Sequence, residues 1–565
     1  MPTLNWIGKD KVVNHHNEVP FRVLEKQYTF GDTPDSGNMI IHGDNLEALK
    51  ALLPKYEGRI KCIYIDPPYN TGNEGWVYND NVNDPHIKKW LGQVVGTEVE
   101  DLTRHDKWLC MMYPRLVLLQ RLLSDDGVIF ISIDDNEQAS LRFLCDEIFG
   151  RDNFVSQLTI ESGEVFGTKA AHVNKTFVKV KDYVVVYKGR SKDNIIRQPL
   201  YDSTRELFDT HYSKIYINGQ VTSLLDYLKR QTRILELFDK FSLKFKKENI
   251  SLLMSLSEEF KDYIYNEISD KLYADQPYNA EIPAEILEKY KGGEYFEYDG
   301  RILFKTKSNT IRMLICFADS VMTSDDYIPL FGRCTLRGDL WKGFHFDMRN
   351  IDDEAKVSFK NAKKPVRLIR QLIKWLNCKD CIVLDSFAGS GTTAHAVLNL
   401  NKQDGGNRKF ILCEMMDYAE TITAERVRRV MSGYGEGSNA VEGTGGSFDF
   451  YELGTTIFDN QTELLNDEAD TEQIRQYVWY AETHTAYKAD PNRSNPYLLG
   501  THNFTDYYFY YEPKEETVLD WNFLQTLKQR AEQYIIYADR CLLAQEEMQR
   551  MNIVFKKIPR DIKRL

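Results

Sequence analysis

The 565-residue sequence contains no apolar run long enough to span a bilayer. Its first residues, "MPTLNWIGKDKVVNHH", lack the apolar stretch of a secretory leader. Cysteine is sparse: nine residues stand singly, apart from one Cys-x-x-Cys. That excludes a disulfide scaffold and points to a reducing, cytoplasmic setting. No short-period internal repeat is present. An excess of basic residues is also missing. The net charge is -12, which by itself weighs against a polyanionic partner. The basic residues that exist are local. "NAKKPVRLIRQLIKW" carries Lys363, Lys364, Arg367, Arg370 and Lys374. "KRQTR" and "KFKKEN" add Lys229, Arg230, Arg233, Lys244, Lys246 and Lys247. Solvated helix faces and a phosphate-binding stripe both fit such runs.

The chain is too long for one hydrophobic core. Over most of 39–194 and 346–447, amphipathic helices alternate with short β-branched strands. This alternation predicts an α/β fold: a mostly parallel sheet with helices on both faces. "MIIHGDNLEALKALL" reads as strand, turn and helix, "KCIYI" as a second strand, and "VIFISID" as a third. Between Arg190 and Trp341 the pattern breaks: Lys, Tyr and Glu rise, and "YFEYDGRILFK" reads as a glycine-turned hairpin. The expected organisation is an N-terminal arm (1–38), an α/β half (39–194), an inserted module (195–345), a second α/β half (346–447) and a small C-terminal α+β domain (448–565).

Two loops carry chemistry. "VLDSFAGSGTTA" places Gly389, Gly391 and Ala394 in a degenerate GxGxxG/A pattern after a strand, with Glu414 near the end of the next strand. No Lys-Ser/Thr follows the glycines, so this is not a P-loop. Glycines that admit a nucleoside do not separate NAD from S-adenosylmethionine. Asp385 and Phe387 tilt the reading: an acid there accepts from an ammonium but repels a pyrophosphate. The second loop is "YIDPPYNTG". Two prolines end the strand and stiffen the turn, holding Asp66 and Tyr69 at its end. A rigid carboxylate and an aromatic face suit an exocyclic amine on a flat base. Asp66 and the Pro67 carbonyl accept from the amine and stabilise the charge that develops as its nitrogen attacks a methyl group. Tyr69 offers a stacking face, worth about 1–3 kcal/mol. A base in a duplex must be flipped out to reach it.

With "DPPY" at 66–69, "FAGSG" at 387–391 and a different module between them, the sequence resembles the β-class amino-methylating DNA methyltransferases. The segments "GDNLEALKALL", "RHDKWLCMMYPRL", "ISIDDNE" and "KKPVRLIRQLI" bring it nearest to the modification subunits of type III restriction systems. The resemblance implies a circularly permuted, Rossmann-like S-adenosylmethionine-dependent methyltransferase fold with a target recognition domain inserted at 195–345. It implies methylation of adenine N6 in double-stranded DNA. Cytosine N4 is the alternative, although Ser in place of Asp66 would have favoured cytosine. A sequence-reading subunit for a restriction nuclease is a reading of another class.

Carried over residue by residue, the catalytic loop is Asp66, Pro67, Pro68 and Tyr69. The cofactor residues are Asp44, Lys364, Pro365, Asp385, Phe387, Ala388, Gly389, Gly391, Thr392 and Glu414. Lys363, Arg367 and Arg370 are the expected DNA contacts. The expected partners are double-stranded DNA, a second copy in a homodimer and a restriction helicase-nuclease subunit, with no membrane, in a bacterial cytoplasm. No metal is needed for amine methylation. Cys378 and Cys381 have metal-ligand spacing but no nearby second pair, so they read as ordinary cysteines. "RHDKW" reads as a helix-start charge cluster rather than an acid–base pair, and "YYFYYE" as a strand with one buried face.

Overall fold

In "KCIYI" only Lys61 is charged, and the strand is buried at every position but that one, as a parallel strand covered on both faces must be. The computed structural model describes residues 4–71, 103–165, 177–192, 198–290, 292–349, 351–359, 363–459, 462, 464–466, 468–488, 495–527 and 531–564. Gly72 and Asn361–Ala362, which belong to motifs quoted above, lie outside them. The chain divides into two compact units, Met1–Gln198 with Asp339–Leu565, and Pro199–Gly338.

In the first unit, ten strands form one sheet. They are β1 (Arg22–Phe30), β2 (Met39–His42), β3 (Ile60–Ile65), β4 (Leu123–Ile133), β5 (Phe154–Glu161), β6 (Lys181–Lys188), β7 (Leu340–Trp341), β8 (Ile382–Asp385), β9 (Lys409–Glu414) and β10 (Phe448–Thr456). Their order is β1-β10-β2-β9-β8-β3-β4-β6-β5-β7. The run β10-β2-β9-β8-β3-β4 is parallel throughout. β6 is antiparallel to β4 and β5, and β1 to β10. This is a Rossmann-like sheet whose central strands β3 and β8 come from opposite halves of the sequence, as a permuted order requires.

The principal helices are α1 (Asn45–Tyr56), α2 (Arg104–Leu122), α3 (Gln138–Cys145), α4 (Val366–Trp375), α5 (Thr392–Asp404) and α6 (Glu425–Ser432). Asp44 caps α1 by accepting from the Leu46 and Glu47 amides. Thr103 and Asp106 form a capping box at the start of α2. Leu49, Leu52 and Leu53 of α1 and Leu116 and Leu119 of α2 belong to one core with Ile63 and Ile131 of the sheet.

Two expected boundaries are corrected. Residues 1–38 are not merely an arm, because Arg22–Phe30 pairs along β10. The segment from 448 does not begin a separate domain, because Phe448–Thr456 lies between β1 and β2. Neither strand shows its partner locally, since the pairing joins opposite ends of the sequence, Arg22 with Thr456 and Phe30 with Phe448. Further on, Leu498–His502, Thr505–Phe509, Gln533–Ala538 and Ile553–Lys557 form a four-stranded sheet. Thr505–Phe509 is buried at every position, so the strand that holds Tyr507, Tyr508 and Phe509 of "YYFYYE" has two covered faces rather than one.

The second unit has a six-stranded antiparallel sheet and a helical core built on Leu228, Ile234, Phe238, Leu253 and Phe260. The expected hairpin is there: Tyr295–Tyr298 pairs with Arg301–Lys305 across Asp299-Gly300, both at positive φ.

Candidate active site

β3 and β8 run side by side in parallel, Val383 opposite Cys62 and Leu384 opposite Ile63. Asp66 and Asp385 therefore leave the sheet at adjacent C-terminal strand ends, the place where open α/β sheets bind ligands. Both carboxylates are buried, 5% and 2% exposed. Burial pushes Asp385 up to about 7, and the neighbouring Asp66 charge adds to the shift. Burial also raises Asp66, while Lys364 pulls it back down.

The Asp-Pro-Pro-Tyr loop is held from α2. Trp108 Nε1 donates to the Pro68 carbonyl at 2.6 Å. Asn70, at φ 58°, turns the chain and donates its amide to the Arg104 carbonyl at 3.1 Å and to Glu137 Oε1. Lys364 Nζ sits 2.9 Å from Asp66 Oδ2 and 4.6 Å from the Tyr69 ring centre. The Tyr69 hydroxyl feels Asp66 without reaching hydrogen-bond geometry. Asp66 Oδ1, Tyr69 OH and Ser386 Oγ are buried polar atoms without a hydrogen-bond partner among the described residues. Such groups are costly unless a ligand satisfies them.

The glycine loop lies beside them. Asp385 accepts from the Phe387 amide at 3.0 Å and from Thr393 Oγ1 at 2.5 Å. Gly389 and Gly391 have φ of 52° and 78°. A Cβ on Gly391 would stand 3.1 Å from the Thr423 carbonyl, so only glycine fits without strain. Glu414 accepts from the Gly389 amide at 2.8 Å and the Met416 amide at 3.0 Å, and a carboxylate oxygen can accept more than one bond. Asn45 Nδ2 donates to the Ser386 carbonyl at 3.1 Å, which ties α1 to this loop. Asp44 also faces Arg115 at 3.4 Å. These groups fit S-adenosylmethionine: a buried acid for its ammonium, a Cβ-free cradle for its nucleoside, and an acid at the next strand end for its ribose.

The expected residues therefore converge, with exceptions. Pro365, Phe387, Ala388 and Thr392 border the glycine loop, and Thr392 Oγ1 donates to the Lys364 carbonyl at 3.3 Å. The Lys364 side chain points instead to Asp66. Lys363 and Arg367 are not available for phosphates. Lys363 is 3% exposed and donates to the Ile351, Glu354 and Val357 carbonyls. Arg367 pairs with Asp347 at 2.8 Å and lies over the Phe344 ring. Lys363 lies just before α4 and Arg367 in its first turn, and both point inward, where carbonyls and a carboxylate replace water. Arg370 and Lys374 are partly exposed.

Sequence reasoning missed the supports behind both loops. Arg115, fully buried, donates to Asn45 Oδ1 at 2.5 Å; a lone arginine in the apolar run "CMMYPRLVLL" was its signal. Arg426 is also fully buried. It donates to Ser390 Oγ at 2.8 Å and Thr392 Oγ1 at 2.9 Å, and pairs with Glu354 at 2.9 Å. In "ERVRRV" it looks like any solvated helix charge. Cys378 and Cys381 stand apart from this site, and no metal-ligating cluster occurs among the described residues.

A family model described as DNA methylase, covering N6 and N4 enzymes, matches residues 60–425. The chain belongs to the DNA methylase family. This family member is 31% identical over 435 residues to a probable type III restriction-modification enzyme HindVI Mod subunit of Haemophilus influenzae, covering 74% of this chain and 53% of that one. It is 31% identical over 438 residues to the type III EcoPI Mod subunit of Escherichia phage P1, covering 72% and 62%. It is 29% identical over 442 residues to the type III EcoP15I Mod subunit of Escherichia coli, covering 73% and 64%. The chain thus spans between half and two-thirds of the length of these relatives.

Proposed function

We propose that the protein transfers a methyl group from S-adenosylmethionine to the N6 amine of an adenine flipped out of duplex DNA. The observation that carries this reading is the placement of Asp66 and Asp385 at adjacent ends of β3 and β8. Neighbouring strand ends would set an acceptor site beside a cofactor site, as a direct methyl transfer needs. Asp385 would hold the cofactor ammonium, Gly389 and Gly391 would admit its nucleoside, and Glu414 would take a ribose hydroxyl. The bound cofactor supplies an electrophilic sulfonium methyl. Asp66 Oδ1 and the Pro67 carbonyl accept from the target amine, drawing its lone pair out of the ring and stabilising the positive charge that develops on it. Tyr69 stacks on the base.

The relatives' names support a finer reading: the modification and sequence-recognition subunit of a type III restriction-modification system. It would act as a homodimer in the bacterial cytoplasm, with a helicase-nuclease partner. No described helix is long and apolar enough to cross a membrane. In this reading the unit Pro199–Gly338 recognises the target sequence.

Sequencing that detects modified bases, applied to a host expressing the protein, tests the proposal. One motif should carry N6-methyladenine, and the Asp66→Ala variant should leave it unmodified while still binding S-adenosylmethionine. N4-methylcytosine, or an unmodified genome, would refute it.

A further inference from the structure

Glu137 is a buried carboxylate beside the Asp-Pro-Pro-Tyr loop that the proposed reaction does not use. It follows β4 at the start of α3 and has no exposed surface. Its Oε1 accepts from Asn70 Nδ2 at 2.5 Å and lies 2.6 Å from His105 Nδ1. Its Oε2 is buried without a hydrogen-bond partner among the described residues. A buried carboxylate left half-satisfied is costly, and an apolar side chain of similar volume would stabilise such a place better. A role in ordering its neighbours offsets that cost.

The neighbour is Asn70, next in sequence after Tyr69. Asn70 is 1% exposed and sits in the left-handed region, which asparagine visits more readily than most residues but does not hold unaided. Pro67 and Pro68 stiffen the loop from within, and Trp108 holds the Pro68 carbonyl. After Pro68, the Asn70 amide anchors the turn, shared between the Arg104 carbonyl and Glu137. His105 is half-exposed and reaches Glu137 from the first turn of α2. Glu137 therefore joins the ends of two elements, the β4–α3 turn and the start of α2, at Asn70, the residue that follows Tyr69.

We infer that Glu137, oriented by His105, is a positioning residue that holds Asn70 in its left-handed conformation and thereby fixes Tyr69 for stacking on the target base. The inference rests on the methyl-transfer reading for its consequence, but not for its structural content. Glu137 touches neither base nor cofactor and acts through Asn70.

Three measurements on the full chain test it. Hydrogen exchange followed by mass spectrometry, in protein without cofactor or DNA, should show at least about tenfold faster exchange in the peptide covering 65–71 for Glu137→Ala. Glu137→Gln, whose amide oxygen still accepts from Asn70, should restore protection to within about threefold. On a duplex carrying the motif found by modified-base sequencing, Glu137→Ala should lower kcat at least about tenfold. Its affinity for S-adenosylmethionine should stay within about twofold. Asn70→Ala should act alike, and the double variant should be no worse than either single one. Unchanged exchange in Glu137→Ala, failure of Glu137→Gln to rescue, or additive effects of the two alanine variants would overturn the inference. Altered exchange with no methyl transfer by the unaltered protein would instead defeat the methyltransferase reading alone.

Discussion

Lys364 Nζ lies 2.9 Å from Asp66 Oδ2 and 4.6 Å from the centre of the Tyr69 ring. An ammonium thus holds one oxygen of the acid whose other oxygen the proposed reaction gives to the target amine. It also keeps a buried acid from rising further: burial raises the Asp66 pKa, and Lys364 opposes that shift by its charge and its hydrogen bond.

Replacing Lys364 by Met removes the largest influence that favours the Asp66 carboxylate. Its pKa then rises, so the ionised form that accepts from the amine appears only at higher pH. The acid limb of the kcat profile should move upward in Lys364→Met and much less in Lys364→Arg. Coincident profiles for the unaltered protein and Lys364→Met would show that Asp66 does not act as a carboxylate.

Asp385 is pushed up to about 7 by burial. A raised carboxylate is a stability cost that appears as pH rises from the unfolded value toward the folded one, because the folded state retains the proton. A bound ammonium favours the ionised form, so cofactor binding should expel that proton below pH 7. Calorimetry should find affinity for S-adenosylmethionine weakening by up to about tenfold per pH unit below about 7 and levelling off above it. Asp385→Asn should bind weakly with no such slope. Gly391→Val should also bind weakly, because a Cβ there meets the Thr423 carbonyl in a left-handed backbone.

Glu354 is the carboxylate partner of the fully buried Arg426, which in turn holds Ser390 and Thr392. Removing one partner leaves a buried charge uncompensated, typically a loss of about 3–5 kcal/mol. Glu354→Ala should lower the denaturation midpoint in urea and loosen cofactor binding together. A variant of normal stability would mean that the network is dispensable.

Phosphate binding is expected away from α4. Lys229, Arg230, Lys244 and Lys246 are exposed in the helical part of the second unit, whereas Lys363 and Arg367 are enclosed. Reversing the four exposed charges should weaken duplex binding and flatten its salt dependence, by about 0.9 in slope for each phosphate no longer neutralised. Lys363→Ala should change stability and leave that slope alone. An unchanged slope in the charge-reversed protein would place the duplex elsewhere.

Much of the site was legible because its chemistry is local. Asp66 through Tyr69 form a strand end stiffened by two prolines, and Asp385 through Gly391 a strand end followed by glycines. Each motif needs only its own backbone to be recognised. The parallel sheet was legible too, since strands covered on both faces carry unbroken apolar runs. What lay beyond the sequence was every relation between distant segments. β1 and β10 read as an arm and a tail because pairing between opposite ends of the chain leaves no local period. Lys363 and Arg367 read as surface cations, and Arg426 was passed over, because a charge in an amphipathic stretch looks the same whether it meets water or a buried partner. The side of the helix that faced inward, and hence which cations were left for a ligand and which became part of the frame, depended on packing against partners such as Glu354 and Asp347. That choice was made by the tertiary structure, through desolvation and the pairing that compensates for it.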